Sequence, residues 1–229
     1  MGLSDAEIQA LLLSLKVSLV AVICALPLAI AVSLVLARRE FAGKWLFDGI
    51  VHLPLVLPPV VMGYLLLIAF GTNAPIGAWL NETIGLRFVF SWTGAALAAG
   101  IVTFPFQVRA VRLALDAIDP GLEQAARTLG AGPLDCLMTV TMPLALPGIL
   151  AGAITAFAAS LGQFGAIITF VSNVPGETRT LPLAIYSAIQ TPGGEAAAAR
   201  LAALSIALAL AGLVPSELAA RRIKAWSRQ

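Results

Sequence analysis

Long uncharged runs alternate with short charged segments along this chain, and that alternation sets the elements it can form. Val17–Ala37 and Phe88–Val108 are each 21 residues without Asp, Glu, Lys or Arg. Gly49–Phe70 is a third such run. The chain from Cys136 up to Glu177 is a fourth, long enough for one crossing over about 150–170 with approach segments on either side. A last apolar stretch covers about 198–217. About 20 apolar residues in a helix cross the hydrocarbon core of a bilayer, so the pattern predicts an all-α membrane protein with five transmembrane helices.

One segment breaks the pattern. Between Ala114 and Pro143 the chain turns polar and takes on helical spacing. Asp119 is suited to cap a helix, and Pro120 falls at the first turn, where its missing N–H costs nothing. Leu122, Ala125, Ala126 and Leu129 recur at i, i+3, i+4 and i+7 and form one apolar stripe. Glu123, Gln124, Arg127 and Thr128 are placed by the same spacing on the opposite face. Gly130 follows at the position of a C-terminal cap, and a second short helix can start at Pro133 before Pro143 opens the next crossing. A short helix with an apolar stripe, set between two membrane spans, needs something soluble to pack against.

Composition supports the membrane setting: 59% of residues are hydrophobic, 11% are charged, and the mean hydropathy is +0.95. Charge then orients the spans. Arg38, Arg39, Lys44, Arg109, Arg112, Arg127, Arg221, Arg222, Lys224 and Arg228 all fall on one side, against Arg87, Arg179 and Arg200 on the other. The positive-inside rule puts the first group in the cytoplasm, which with five spans leaves the N-terminus outside. The expected division is a periplasmic or interfacial lead-in at 1–15, a membrane domain at 16–220 and a basic cytoplasmic tail at 221–229.

Candidate chemistry inside the membrane is sparse. Lys16 is close enough to the outer interface to snorkel. His52, the only histidine, is read as having no carboxylate nearby in sequence and so is expected to be a packed neutral or interfacial side chain rather than a proton relay, and Arg109 and Arg112 to be boundary residues facing headgroups. Cys24 lies inside the first predicted span and Cys136 in the polar loop, so a disulfide is not expected, and the two have no metal-ligand spacing. There is no Ser-His-Asp set, HExxH or phosphate-binding GxxxxGK[ST], so ATP-driven work would need another chain to bind the nucleotide. Pro54, Pro58, Pro59 and Gly63 in the second span, and Gly148, Gly152, Gly162 and Gly165 in the fourth, are expected to bend helices or bring them close. Ser160, Gly162 and Gln163, placed midway along the fourth span, are the candidate pathway lining. An ion-coupled secondary transporter is the alternative of a different class, but few ionisable residues lie within the spans to couple an ion.

The polar loop carries a resemblance. Ala125-Ala126, three residues, Gly130, nine residues, then Val140-Thr141-Met142-Pro143 resembles the "EAA" coupling loop of binding-protein-dependent ABC importer permeases, here spanning 116–143. Gln124 stands where the pattern has its Glu, with Glu123 one place earlier, and Met142 replaces Leu. The segments HLPLVLPPVVMGYLLL, ASLGQFGAIITF and VSNVPGETRTLPLAIY resemble the molybdate-type permease subunits, with sulfate or thiosulfate permeases as the nearest alternative. Relatives of that type commonly carry Glu at the position of Gln163 and Arg at that of Ala159.

The resemblance implies a type I importer permease fold that translocates molybdate across the bacterial inner membrane and has no catalytic role of its own. It implies a homodimer with two ATP-binding subunits docked at Leu122, Glu123, Gln124, Ala125, Ala126, Leu129 and Gly130. A periplasmic molybdate-binding protein would dock on the outer loop at Asn173, Glu177 and Arg179, within 173–195, where 181–190 reads as a short helix. The chain itself would hold no cofactor or metal and no nucleic acid; ATP and magnesium would be used by the partner.

Overall fold

The computed structural model describes residues 3–226, with the side chains of the last helix described as far as Leu210. All regular elements among the described residues are helical. They are α1 (Asp5–Arg38), α2 (Lys44–Val56), α3 (Pro59–Phe70), α4 (Pro75–Ile84), α5 (Trp92–Asp116), α6 (Pro120–Thr128), α7 (Pro133–Cys136), α8 (Met142–Leu161), α9 (Gly165–Val171), α10 (Leu181–Ile189) and α11 (Glu195–Trp226).

The centre of the bundle is α5. In its most apolar 18-residue window 67% of residues are buried, against 28% for α1 and for the helix that includes α8. Its buried face is built from small side chains. Ala95, Ala96, Ala98, Ala99 and Gly100 let α1 approach, and Gly148 and Gly152 of α8 sit directly against Ala110 and Ala114. Close approach of backbones gives dispersion contact where lipid offers no hydrophobic drive for helices to associate. Polar groups facing these seams satisfy themselves locally. The Ser33 hydroxyl donates to Ala29 O at 2.7 Å, and its oxygen also lies 3.0 Å from Val108 O across the α1–α5 contact.

Three expectations change. First, α1 runs without a break through residues 5–15. At about 1.5 Å per residue its 34 residues span about 50 Å, more than the ~30 Å of hydrocarbon, so the N-terminal lead-in is the projecting end of the same helix. Second, the second span is broken: Leu57-Pro58 separates α2 from α3, which lie at 115° to one another. Pro58 and Pro59 withhold two backbone N–H groups, and a proline disfavours helix in the residue before it. Third, the fourth crossing is α8 at 142–161, ahead of the expected 150–170, and the chain from 162 to 164 is a break before α9. Ser160, Gly162 and Gln163 therefore stand at the end of a helix and not midway along one.

Three described helices are long and apolar enough to span, and the bent pair α2–α3 makes four. The expected fifth crossing corresponds to α11, whose side chains beyond Leu210, including the basic positions Arg221, Arg222, Lys224 and Arg228, lie outside the described residues.

Candidate functional site

α6 stands apart from the spans and is fixed by its own caps. Asp119 Oδ1 accepts from Gly121 N at 2.8 Å, and Pro120 occupies the first turn. At the other end Gly130 takes φ +94°, Gly130 N donates to Arg127 O and Ala131 N to Ala126 O, both at 3.0 Å. These two bonds form a Schellman motif, which satisfies carbonyls that a short helix would otherwise leave open.

The stripe and the polar face lie where the spacing puts them, with one correction. Glu123 does not join Gln124, Arg127 and Thr128 in solvent. Its side chain is only 16% exposed, and Oε1 accepts from Arg38 Nη2 at 2.7 Å and from Thr141 Oγ1 at 2.9 Å. Cys136 Sγ lies 3.8 Å from the Glu123 carbonyl. One carboxylate thus ties α6 to the end of α1 and to the entry of α8. With that side inward, the apolar stripe faces away: Leu122 and Ala125 are exposed, Leu129 is 90% exposed, and only Ala126 is half-buried.

Sequence reasoning missed two further members of this face. Leu134 is 75% and Met138 67% exposed, one turn apart. Their i, i+4 spacing after Pro133 was the available signal. From Pro133 the chain is helical to Leu161 without interruption, because α7 passes into α8 through a π-helical turn at Leu137–Thr141, closed by Met142 N bonding to Leu137 O. Pro143 lacks the N–H that would have bonded Thr139 O, and such wide turns accommodate a missing bond without ending the helix.

The structure brings the two helix breaks together. Gly165 packs against Pro59, and Gly63 against Ala166 and Thr169, so the break at 57–59 adjoins the one at 162–164. Non-helical backbone at membrane depth is tolerated where it is buried in protein or lines a water-filled cavity. Ser160 is buried with no partner for its hydroxyl among the described residues, Gly162 is exposed, and Gln163 is half-buried with its N–H on Ser160 O at 3.1 Å. On the outer loop Arg179 Nε donates to Asn173 Oδ1 at 2.9 Å and Asn173 Nδ2 to Ser187 Oγ at 2.7 Å, while Glu177 is exposed. The expected short helix is present as α10.

Three ionisable side chains have partners that the sequence reading did not name. His52 has a carboxylate one turn away: Nδ1 lies 3.1 Å from Asp48 Oδ1 and 2.9 Å from Asp48 O. Arg112 pairs with Asp48 at 3.0 Å rather than only facing headgroups. Lys16 Nζ sits 3.6 Å from the centre of the Trp92 ring, a cation–π contact at the end of α5.

Apolar helices long enough to cross a bilayer, two adjoining helix breaks and a capped polar helix outside them describe a membrane component. The chain belongs to the family of binding-protein-dependent transport system inner membrane components, whose family model matches residues 25–224. It is 58% identical over 221 residues to the molybdenum transport system permease protein ModB of Escherichia coli strain K12, covering 96% of each chain. It is 55% identical to the protein of the same name from Haemophilus influenzae over 218 residues, 95% of each. A solved bacterial alginate ABC transporter in complex with its alginate pentasaccharide-bound periplasmic protein shares the fold, with a TM-score of 0.75 at 20% identity, over 96% of this chain and 80% of that one.

Proposed function

We propose that this chain is the membrane-spanning permease subunit of an ATP-driven importer that carries molybdate across the inner membrane. The observation that carries this reading is the 58% identity over 96% of both chains to a molybdenum transport permease, a match that includes the coupling loop and both helix breaks. The permease performs no catalysis. ATP is bound and hydrolysed by separate subunits, and molybdate arrives on a periplasmic binding protein.

The working arrangement has five spans with the N-terminus outside and the C-terminus in the cytoplasm, in a homodimer with two ATP-binding subunits. Leu122, Ala125 and Leu129, with Leu134 and Met138, are the face offered to the ATPase. Glu123 serves that face from behind by holding α6 to α1 and α8. Gln124, Ala126 and Gly130 complete the helix and its cap. The adjoining breaks, with Ser160, Gly162 and Gln163, line the pathway. Few fixed charges stand there, which suits brief passage of a dianion, since an uncompensated cation would hold it. Asn173, Glu177 and Arg179 form part of the outer surface that receives the binding protein.

Deletion of the gene tests this reading. Loss of molybdoenzyme activity, partly relieved by millimolar molybdate through other uptake routes and with sulfate assimilation intact, is the expected outcome. Sulfate auxotrophy with normal molybdoenzymes would transfer the assignment to sulfate.

A further inference from the structure

The polar ends of α2 and α5 border an open cavity of about 400 Å³ that the transport reading does not use. It is lined by Asp48 and His52 of α2 and by Arg109, Arg112, Leu113 and Asp116 of α5. The α5 residues fall at i, i+3, i+4 and i+7, so all four project from one face. Two guanidinium groups and two carboxylates make the cavity neutral overall with His52 uncharged, but the charges are unequally used. Arg112 is held by Asp48 at 3.0 Å. Asp116 has only Arg112 Nε at 3.8 Å, beyond hydrogen-bond length. Arg109 is exposed and has no ion pair among the described residues.

The order of these groups along the membrane normal is informative. Arg109 is the first charged residue after the uncharged run 88–108, and Asp116 lies two helical turns farther from the hydrocarbon. The order is the same whichever side of the membrane this end occupies. Val56, one turn deeper than His52 on the same face of α2, presents exposed apolar surface, and Leu113 stands exposed in the wall between Arg109 and Asp116. Read outward from the hydrocarbon, the site offers the apolar Val56, then the underused cation Arg109, then the underused anion Asp116. A phospholipid with a primary amine presents acyl chain, phosphate and ammonium in that sequence.

We propose that this cavity is a binding site for a zwitterionic aminophospholipid headgroup of the phosphatidylethanolamine type, with its phosphate on Arg109 and its ammonium on Asp116. Arg112, braced by Asp48, positions the wall between them. Charged side chains between spans at the membrane surface hold lipid headgroups by ion pairing, and here a carboxylate beside the cation selects for an amine. Phosphatidylglycerol has no cation for Asp116, and phosphatidylcholine has no N–H to donate to it.

The test uses the full-length chain, purified in mild detergent, delipidated and returned to vesicles of pure phosphatidylethanolamine, phosphatidylglycerol or phosphatidylcholine. Lipid retained after re-extraction is counted by native mass spectrometry. The wild type should retain phosphatidylethanolamine about fivefold over either other lipid, and Arg109→Gln or Asp116→Asn should each abolish that preference. Arg109→Lys should keep it, which separates loss of the site from loss of the fold, and Arg39→Gln should leave it unchanged. Equal retention of the three lipids, or a preference untouched by Arg109→Gln, overturns the proposal. So does displacement of the lipid by millimolar molybdate in an Arg109-dependent way, since that would make the cavity a cargo site. Each of these results leaves the gene-deletion test of molybdate import unaffected.

Discussion

Glu123 and Glu7 are both carboxylates turned into the protein, and each fastens two distant parts of the chain. Glu123 collects Arg38 and Thr141 on one oxygen, and charged hydrogen bonds of this kind contribute about 1.5–3 kcal/mol when well formed. Arg38 is partly solvated, so the lower end of that range applies. Glu123→Ala should therefore raise the local opening of 120–128 about tenfold, seen as faster amide exchange there with little change in α5. Unchanged exchange would show that the caps alone hold α6. Glu7, in the projecting end of α1, accepts from Ser4 N at 2.7 Å and from Arg200 at 2.9 Å. The Ser4 N–H first, and Arg200 after it, hold its pKa below the ordinary carboxylate value of 4.5, against the opposing effect of burial. A lowered folded pKa means that the stabilisation is present above about pH 4.5 and is lost as pH falls through the folded value. The thermal midpoint should fall more steeply with acid below that pH in the wild type than in Glu7→Gln; identical slopes would remove Glu7 from the account.

Among the elements, α6 tests backbone conformation separately from packing. A Cβ added at Gly130 meets nothing within 4 Å, so the cost of a side chain there comes only from φ +94°. Gly130→Val should destabilise the loop by about 1–2 kcal/mol and lower transport, while Gly130→Asn should be milder because Asn tolerates the left-handed region. Gly63 is the opposite case. Its Cβ would stand 2.7 Å from Ala166 O and from Thr169 Cβ, so Gly63→Leu should push α9 from α3 and impair transport without preventing membrane insertion. Transport at the wild-type rate would separate these breaks from the pathway. The same contrast explains what was legible in the sequence. The caps and stripe of α6 are local signals, read within a dozen residues, and they survive folding. The break at 162–164 was hidden because uncharged residues run on through it and glycine serves packing and bending alike. The inward turn of Glu123 was hidden too, since its partners Arg38 and Thr141 lie 85 and 18 residues away in the chain. His52 shows a plainer omission, because Asp48 was one turn upstream.

At the scale of the whole molecule, the proposed contact with a soluble ATPase rests on the exposed face of α6 and α7. Leu129→Asp leaves the carboxylate solvated in the free chain but buries it in a complex, where an unpaired charge costs several kcal/mol. The variant should insert normally and lose co-purification with the ATPase; retained co-purification with undiminished transport would exclude the docking role. Sidedness can be read in the same protein. With both native cysteines replaced, a cysteine at Glu177 should react with an impermeant reagent in intact cells, and one at Thr128 only after permeabilisation. The reverse pattern would invert the topology.

The uninterrupted helix from Pro133 to Leu161 is 29 residues, or about 43 Å, and both of its ends have work to do. One end carries Leu134 and Met138 on the outer face, and the other stops at the break beside Pro59. Such a rod acts as a lever arm. Pivoted near Gly148 and Gly152, where it bears on α5, a tilt of about 7° moves one tip by about 5 Å relative to the other, roughly one helical turn. Small residues at the bearing keep the friction of rocking low, because no large side chain must change rotamer as the surfaces roll. A push of about 3 Å on the polar end would thus arrive as an opposite shift of about 2 Å at the far end, with no need for any element between them to unfold.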